Sequence, residues 1–458
     1  MKALNNILEG VGNTPLVRLN RLVGPEDATV YAKCEFMNPG GSVKDRLALH
    51  ILENAVREGS LKPGGHIVEN TSGNTGAAIA LWAAVRGYRC TFTIPDKMSS
   101  EKVNTLKAMG AEVVICPTNV PAESPESYYE TAKRIARETP GSYYLNQYHN
   151  PQNIEAHYHS TGREIWEDTG GKIDVLVAGI GTGGTMSGAG KYLKEKKPDI
   201  QNIAVDPIGS VFYSLFKTGK LSTPHVYKVE GIGEDMACGA LNLEVIDDII
   251  QVDDRQSFLM ARQLARKEGL FAGGSAGAAA HAAVQVARRV GKNKNVVVIL
   301  PDGGKSYISK FYSDEWMIDN GLMRLSETFG TIADVMSAKP DREVVSTTVD
   351  RNVGDAIGLL KEHGVSQIPV YDNAGNAVGM LHEVDLLDAL LEGRATKNDP
   401  VSSVMHSLEG VVTKDASITR LNEILGQDLV AVVKDGNRVI GLLTKIDLIE
   451  YLSAEKSR

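Results

Sequence analysis

The stretch DVLVAGIGTGGT at residues 174–185 runs from an apolar segment directly into glycines and hydroxyl side chains. Residues 174–178 are rich in β-branched and aliphatic side chains and end at a turn sequence, which predicts a buried strand. The glycines let the backbone turn sharply before the helix-like sequence that follows. The stretch therefore predicts a strand–loop–helix unit, the element from which parallel α/β sheets are built.

The same pattern continues on both sides of this stretch. Apolar runs at 65–69, 111–115 and 295–300 are predicted strands, and helical segments such as 101–109 and 257–268 lie between such runs. Continuous apolar strands that alternate with helices predict an α/β fold with a mostly parallel sheet covered on both faces. Ligands bind such sheets at the carboxyl ends of the strands, where the Gly-rich loops are expected.

The pattern changes after about residue 321. The segment TIADVM at 331–336 recurs loosely as PVSSVM at 400–405, and GMLHEVDLL at 379–387 recurs as GLLTKIDLI at 441–449. Internal repeats of this kind indicate a tandem module packed as a pair. We predict a first domain over 1–325, followed by two repeats at 331–392 and 398–458.

Composition excludes several classes of protein. The 458 residues carry 49 basic and 57 acidic side chains, a net charge of −8, which argues against nucleic-acid and anionic-membrane partners. No apolar run approaches the roughly 20 residues of a transmembrane helix, and the N-terminus lacks an export signal. Four cysteines without a C-x-x-C pair disfavour disulfide frameworks and local zinc sites. A cytoplasmic location is expected.

The first motif with chemical meaning is NPGGSVKDR at 38–46, a turn that leads into a predicted helix with Lys44 in its first turn. The positive end of the helix dipole disfavours a cation there and lowers the pKa of the amine. A lowered pKa is what an amine acting as a Schiff-base nucleophile requires. The alternative is that Lys44 is an ordinary solvated lysine.

A second motif, TSGNTG at 71–76, follows a predicted strand and precedes a helix. Hydroxyls, an amide and backbone N–H groups at a helix N-terminus form an anion site suited to a carboxylate. An ordinary helix N-cap needs only one such residue, so the full run favours a binding site over a cap.

The glycine loop of residues 179–185 permits two functional interpretations. Gly179, Gly181 and Gly184 match the dinucleotide pattern G-x-G-x-x-G, and Asp206 lies about where a ribose-binding acid would be. That interpretation predicts an NAD-dependent dehydrogenase. Alternatively, residues 181–185 wrap a single phosphate with main-chain N–H groups and two hydroxyls. The loop alone leaves both alternatives open.

The fourth motif, GGSAG at 273–277, opens an Ala-rich predicted helix, and tight helix packing would by itself explain its glycines. A hydroxyl at Ser275 facing a pyridine nitrogen would keep that nitrogen largely unprotonated. Two other patterns do not indicate a binding site. The sequence GKS at 304–306 lacks the first glycine of a P-loop, and HYH at 157–159 has no third ligand at metal-site spacing. No metal is expected.

An amine, a carboxylate loop, a phosphate loop and a hydroxyl for a ring nitrogen together make a pyridoxal phosphate site. The four segments resemble the fold type II pyridoxal phosphate enzymes, the tryptophan synthase β family, and GNTPLVRL at 12–19 is typical of its cysteine synthase branch. The chain is most similar to the cystathionine β-synthase group, on the evidence of MSSEK at 98–102, QYHN at 147–150, EGIGED at 230–235 and the tandem module.

This resemblance implies a catalytic domain of two open-sheet subdomains followed by a tandem α+β regulatory module. It implies pyridoxal 5′-phosphate as cofactor and no haem, since only a few residues precede position 12 where vertebrate members carry a haem-binding extension. Lys44 would be the Schiff-base lysine and the base for the α-proton. The remaining cofactor contacts would be Asn74 at the 3′-hydroxyl, Gly181, Thr182, Gly183, Gly184 and Thr185 at the phosphate, and Ser275 at the pyridine nitrogen.

The implied reaction is β-replacement of the hydroxyl of L-serine by L-homocysteine, giving L-cystathionine and water, or hydrogen sulfide when cysteine is the first substrate. The alternative is a cysteine synthase that uses O-acetylserine and sulfide. The sequence departs from many relatives at one place, where Glu234-Asp235 stands instead of Tyr-Asp or Ala-Gly. In the family this segment is expected to contact the second substrate. The substrate-binding residues would be Thr71, Ser72, Thr75, Gln147 and Gly231, with the catalytic Tyr148 near the leaving group.

The resemblance also implies regulation and assembly. Paired modules of this family hold an adenosyl ligand, S-adenosylmethionine or an adenine nucleotide, in a cleft between the repeats. Thr444 and Asp447 have the favourable pattern in the second repeat, whereas the first retains Asp385 but has His382 at the hydroxyl position. The alternative is that both aspartates only cap or solvate their helices. A homodimer or higher homo-oligomer is expected.

Overall fold

The computed structural model describes residues 3–71, 73–121, 123–323, 330–339, 344–427 and 429–455. The chain divides into two compact units, Met1–Met317 and Ile318–Arg458. Within the described residues, no helix is both long enough and apolar enough to cross a membrane.

The first unit contains a larger sheet of six strands. All neighbours in it are parallel except the first pair, which is antiparallel. The order across the sheet is β1 (Leu16–Arg18), β2 (Thr29–Cys34), β10 (Asn295–Leu300), β7 (Val175–Gly179), β8 (Gln201–Pro207) and β9 (Asp248–Val252).

A smaller sheet of four parallel strands lies in the same unit. Its order is β5 (Glu112–Cys116), β4 (Arg89–Pro95), β3 (His66–Asn70) and β6 (Ser142–Tyr144). The two-sheet arrangement is the one that the family resemblance implied.

Helices cover both sheets, as the alternating pattern predicted. Along the chain they are α1 (Lys44–Arg57), α2 (Asn74–Arg86), α3 (Ser100–Ala108), α4 (Tyr128–Glu138), α5 (Gln152–His157), α6 (Arg163–Asp168), α7 (Gly184–Lys196), α8 (Phe212–Thr218), α9 (Asp254–Gln263), α10 (Gly274–Val290) and α11 (Asp314–Asp319).

Two buried cores stabilise this unit, one under α1 and α2 beside the smaller sheet and one beside the larger sheet. Helix α10 is almost entirely buried, and its many alanines allow a close approach to the sheet. The predicted strands at 174–178 and 295–300 are found as β7 and β10. The predicted helix at 257–268 begins earlier, because Asp253 and Gln256 form a capping box before α9, and it ends in a π-turn over Leu264–Glu268.

The second unit contains the tandem repeats, each built on its own sheet. One sheet is β11 (Thr347–Thr348), β12 (Gln367–Tyr371), β13 (Ala377–His382) and β14 (His406–Ser407), and the other is β15 (Val411–Thr413), β16 (Ala431–Asp435) and β17 (Arg438–Leu443). The helices are α12 (Ile332–Ala338), α13 (Val353–His363), α14 (Glu383–Leu391), α15 (Ile418–Gly426) and α16 (Lys445–Glu455).

The N-terminal segment of each repeat packs into the core of the other repeat. Ile332 and Val335 of α12 are buried in the core of the second repeat, beside Leu421 and Val433. Val401, at the start of the second repeat, is buried in the core of the first. Neither repeat can bury its core without the other, which explains why the module occurs as a pair.

Candidate active site

The motifs singled out in the sequence meet in the first unit. A cavity with about 840 Å³ of empty space, part of it open to solvent, lies beyond the carboxyl ends of the parallel strands. Of the predicted site residues, its lining includes Lys44, Gln147, Tyr148, Gly181, Thr182 and Gly231. Thr71, Asn74, Thr75 and Ser275 are described residues that do not line it. A smaller space of about 380 Å³ is lined by Lys44 together with the glycine loop.

Lys44 is the first residue of α1 and lines both spaces. Burial lowers the pKa of its amine, and the nearby carboxylates of Asp302 and Glu234 oppose that shift. The direction agrees with the prediction from the helix dipole, but burial is the larger cause. A lowered pKa makes the neutral amine, which is the form that acts as a nucleophile or base, more accessible.

The loop at 71–76 is held by its own hydroxyls. Thr71 is buried, and its hydroxyl accepts the N–H groups of Gly73 at 3.0 Å and Gly76 at 3.2 Å. The Thr75 hydroxyl donates to Gln147 Oε1 at 2.7 Å, which ties this loop to the segment that carries Tyr148. Ser72, the remaining predicted carboxylate ligand of this loop, lies outside the described residues.

The segment that carries Gln147 depends on a buried acid that the sequence analysis missed. Glu69 accepts the N–H groups of Asn146 at 2.7 Å and Gln147 at 3.1 Å. Asn146 has a positive φ of 54°, so this backbone needs such support. Burial raises the pKa of Glu69 to about 8. The sequence feature that could have pointed to Glu69 is its position as a charged residue at the end of a predicted strand.

The glycine loop leads from β7 into α7, which begins at Gly184. Gly183 has a φ of +90°, and a Cβ there would lie 2.6 Å from Leu241 Cα, so only glycine fits. The Thr182 hydroxyl accepts from Asn153 Nδ2 at 3.0 Å, and the Thr185 hydroxyl lies 3.2 Å from His157 Nε2. Glycines that place backbone N–H groups at a helix N-terminus suit a phosphate.

Ser275, the second residue of α10, contacts an acid that the sequence analysis also missed. Its hydroxyl lies 3.4 Å from Asp302 Oδ1, while Asn74 Nδ2 and the Tyr307 hydroxyl donate to Asp302 Oδ2 at 2.9 and 2.6 Å. Asp302 comes just after β10, at the carboxyl end of a central strand. That position was the available signal.

Tyr148 lies in a group of buried phenols. Its hydroxyl is 3.1 Å from the hydroxyl of Tyr128, and the Tyr129 ring meets the Tyr148 ring edge-on at 5.5 Å. Burial raises the pKa of all three phenols well above the ordinary value for tyrosine. They therefore stay protonated and can act as hydrogen-bond donors near neutral pH.

The residues present fit pyridoxal phosphate better than a dinucleotide. The buried Lys44 amine and the glycine loop at a helix N-terminus line one space, together with Gly231. The Ser275 hydroxyl lies close to Gly231, and both Ser275 and Asn74 contact Asp302. The acid proposed for a dinucleotide ribose, Asp206, is buried and accepts the N–H of Tyr213 at 2.9 Å. It therefore has a structural role in the loop after β8.

Comparison with known proteins leads to the same family. The family model "Pyridoxal-phosphate dependent enzyme" matches residues 7–302, and the model "CBS domain" matches residues 332–392 and 401–454. The chain belongs to the cystathionine β-synthase family of pyridoxal-phosphate dependent enzymes. The predicted fold, enzyme class and cofactor are thereby confirmed, and the dehydrogenase alternative is not supported.

Several members of this family are similar over nearly the whole chain. Curated cystathionine β-synthases from Dictyostelium discoideum and Mus musculus are 37% and 41% identical over 99% of this chain, covering 93% and 87% of their own lengths. A cysteine synthase from Staphylococcus aureus is 44% identical, but over 67% of this chain.

Two solved structures match about two thirds of this chain. An "O-acetylserine dependent cystathionine beta-synthase" from Helicobacter pylori has a TM-score of 0.62 and 36% identity, covering 68% of this chain and 99% of that one. A "hydrogen sulfide-producing enzyme" from Fusobacterium nucleatum also has a TM-score of 0.62, at 34% identity, covering 67% of this chain and all of that one.

In the second unit, the predicted regulatory residues are already engaged. Asp447 Oδ2 accepts the N–H and the hydroxyl of Thr444, each at 2.7 Å, and Lys339 Nζ lies 2.8 Å from Asp447 Oδ1. Burial tends to raise the pKa of Asp447, but the hydrogen bonds from Lys339 and Thr444 leave it below its ordinary value. In the other repeat, Asp385 Oδ1 lies 3.1 Å from His406 Nε2.

Proposed function

We propose that this enzyme joins L-serine and L-homocysteine to form L-cystathionine and water, with Lys44 as the central catalytic residue. The position of the Lys44 amine carries the proposal, because it lines both the substrate cavity and the space beside the glycine loop. The likeness to curated cystathionine β-synthases supports it further, because it extends over 99% of this chain, whereas the cysteine synthase match covers 67%.

Each group of site residues has a proposed binding role. Gly181 to Thr185 would hold the cofactor phosphate, and Asn74 and Ser275 would hold its ring, with Asp302 positioning both side chains. Thr71, Ser72, Thr75 and Gln147 would bind the serine carboxylate, and Gly231 would contact the substrate from the facing loop. Pyridoxal phosphate, when bound, supplies an electron sink for the charge that develops at the substrate α-carbon.

Lys44 moves the α-proton. Burial lowers the pKa of its amine, so the neutral form is available to accept the proton from the serine α-carbon and later to return it. An exposed lysine would be protonated near neutral pH and could not serve as this base.

Tyr148 assists the departure of the hydroxyl group. Hydroxide is a poor leaving group, so proton donation to the β-oxygen is needed as the carbon–oxygen bond breaks. Tyr148 stays protonated and lies in a hydrogen bond with Tyr128, which orients its hydroxyl. The oxygen leaves as water with the proton from Tyr148. The homocysteine sulfur then bonds to the same carbon, and its thiol proton restores the Tyr148 phenol.

The tandem module is the proposed site of an adenosyl effector, with Thr444 and Asp447 in one repeat and Asp385 in the other. A cleft bordered by Lys339 and residues 440–443 lies beside the Asp447 helix, and another is lined by Asp385 and His406. An adenosyl ligand that binds Asp447 must compete with Lys339 for it. Assembly as a homodimer or higher oligomer stays a prediction of the family resemblance.

A cytoplasmic location is also proposed. Its support is the state of the cysteines: Cys34, Cys90, Cys116 and Cys238 are all buried and free. Free thiols agree with a reducing compartment.

A competition assay tests the proposed reaction. With purified enzyme, kcat/KM for L-serine plus L-homocysteine is compared with that for O-acetylserine plus sulfide, and also with O-acetylserine plus L-homocysteine. We expect the serine and homocysteine pair to be used best. A clear preference for O-acetylserine with sulfide would assign the enzyme as a cysteine synthase. A preference for O-acetylserine with homocysteine would instead indicate an O-acetylserine dependent cystathionine β-synthase, which is how the Helicobacter pylori relative is described.

A further inference from the structure

The active-site cavity extends past Tyr148 to two neighbouring acids that the proposed mechanism does not use. Glu234 and Asp235 both line it, Glu234 half-buried and Asp235 exposed. They follow Gly233, whose φ of +76° turns the chain so that both side chains meet the cavity wall. This is the position where the sequence departs from many relatives.

Glu234 is surrounded by phenols. The Tyr129 hydroxyl donates to Glu234 Oε2 at 3.0 Å. The Tyr129 ring in turn lies 4.0 Å from the ring of Tyr128 and 5.5 Å from that of Tyr148, centroid to centroid. A carboxylate beside several aromatic faces is a favourable environment for an organic ammonium group.

These two acids have no direct ion pair among the described residues, although the charges of Lys97 and Lys44 interact with Glu234. Glu230, on the same loop, is paired with Lys102 at 2.7 Å and with Lys310 at 2.6 Å. For Glu234 and Asp235, the described part of the chain places no Lys, Arg or His nitrogen within 4 Å. Burial and the charge of Asp235 raise the pKa of Glu234 to about 8, although the charge of Lys97 opposes the shift. Near neutral pH the carboxyl is therefore largely protonated, and an incoming ammonium group favours its ionised form.

We propose that Glu234 binds the ammonium group of the thiol substrate and thereby selects an amino-acid thiol over sulfide or a simple thiol. The inference rests on the proposed function. The serine ammonium group is engaged at the cofactor, so the second amino acid is the substrate that brings a free cation to the cavity. Asp235 adds negative charge beside Glu234 without being required for the contact.

The expected size of the effect follows from the kind of contact. A hydrogen bond to a charged group inside a protein changes an equilibrium by roughly 10- to 100-fold. A site built for a polar group also discriminates against a substrate that lacks it, because its own buried polar group is then left unpaired. Removing the Glu234 carboxylate should therefore lower kcat/KM for thiols that carry an ammonium group and leave it unchanged for thiols that do not.

The test compares three thiols with saturating L-serine. They are L-homocysteine, 3-mercaptopropylamine, which keeps the ammonium but lacks the carboxylate, and 4-mercaptobutanoate, which keeps the carboxylate but lacks the ammonium. The variant is Glu234→Gln, of nearly the same size. The control is Glu244→Gln, the same change at an exposed glutamate that does not line the cavity.

For Glu234→Gln we expect kcat/KM to fall roughly 10- to 100-fold with L-homocysteine and with 3-mercaptopropylamine, and little with 4-mercaptobutanoate. The visible spectrum of the variant with L-serine alone is the control for an effect on the first substrate, because Glu234 also influences the pKa of the Lys44 amine. We expect this spectrum to match that of the parent enzyme, so that the loss lies in the step with the thiol. Glu244→Gln should behave as the parent with all three thiols.

Three results would overturn the inference. An equal loss with all three thiols would make Glu234 a base for the thiol proton or a structural residue, and unchanged preferences would remove it from recognition altogether. If the parent enzyme itself used 4-mercaptobutanoate as well as L-homocysteine, no ammonium contact would operate. In each of these cases the parent still forms cystathionine, so the proposed function survives. A parent enzyme that forms none would refute both.

Discussion

The substitution Gly183→Ala tests the assignment of the glycine loop as the cofactor phosphate site. Gly183 has a φ of +90° and immediately precedes α7. A Cβ at this position would lie 2.6 Å from both Leu241 Cα and Leu241 Cβ. Contacts this short cannot be relieved by a side-chain rotation alone, so the loop itself must move.

Two costs can be separated. Holding alanine in the left-handed region costs about 1–2 kcal/mol, and this lowers stability whether or not the cofactor is bound. Displacing the loop removes at least one N–H group from the phosphate, and a hydrogen bond to a charged group is worth about 1.5–3 kcal/mol. That second cost corresponds to a cofactor Kd raised by roughly 10- to 100-fold.

Gly87 supplies the matched control. It follows the last residue of α2, has a φ of +75°, and has nothing within 4 Å of the position where a Cβ would lie. Gly87→Ala therefore carries the left-handed cost without a clash and far from the cavity. The assay is titration of each cofactor-free protein with pyridoxal phosphate, followed by visible absorption and by thermal unfolding.

Both variants should be destabilised by a similar amount without cofactor, and only Gly183→Ala should bind the cofactor more weakly. A Gly183→Ala protein with the Kd of the parent enzyme would refute the phosphate assignment of this loop. Equal weakening in Gly87→Ala would show that general loss of stability, rather than loop geometry, controls cofactor affinity.

Three further predictions concern other parts of the chain. Lys44→Ala should retain the cofactor only non-covalently, which is measured by visible absorption after dialysis. Its rate of β-replacement should fall by several orders of magnitude. Near-normal turnover would contradict the catalytic role of Lys44. Arg46→Met should lower the free energy of unfolding, measured by urea titration, by about 3–5 kcal/mol. The reason is that Arg46 pairs with Glu35 at 2.6 Å and with Glu164 at 2.7 Å in the buried interior. An unchanged midpoint of urea unfolding would contradict this. A hundredfold excess of an adenosyl effector over its Kd should stabilise its site by about 2.7 kcal/mol, and Asp447→Ala should remove that shift in full-length protein without changing the cofactor spectrum. If neither S-adenosylmethionine nor an adenine nucleotide raises the melting temperature of the parent, the regulatory proposal fails.

The parts of the site that the sequence predicted are those with a local physical cause. A run such as 71–76 or 181–185 is rich in glycine and hydroxyl groups wherever its neighbours lie, and its place between an apolar strand and a helix can be seen in the sequence. The place of Lys44 at the start of a helix was predicted for the same reason, since it follows from the turn before it, and α1 does begin at this residue.

The sequence alone also determined the alternation of strands and helices, the tandem repeat and the set of motifs that identifies the cofactor, because each of these is encoded in neighbouring residues. Only the tertiary structure revealed Asp302 as the partner of Asn74, 228 residues away, and Glu69 as the support of the loop that carries Gln147. It likewise revealed the exchange of α12 into the core of the other repeat. Such contacts depend on which loops the folded sheets bring to the same edge. A single aspartate or glutamate looks the same in sequence whether it is solvated or buried against a distant partner.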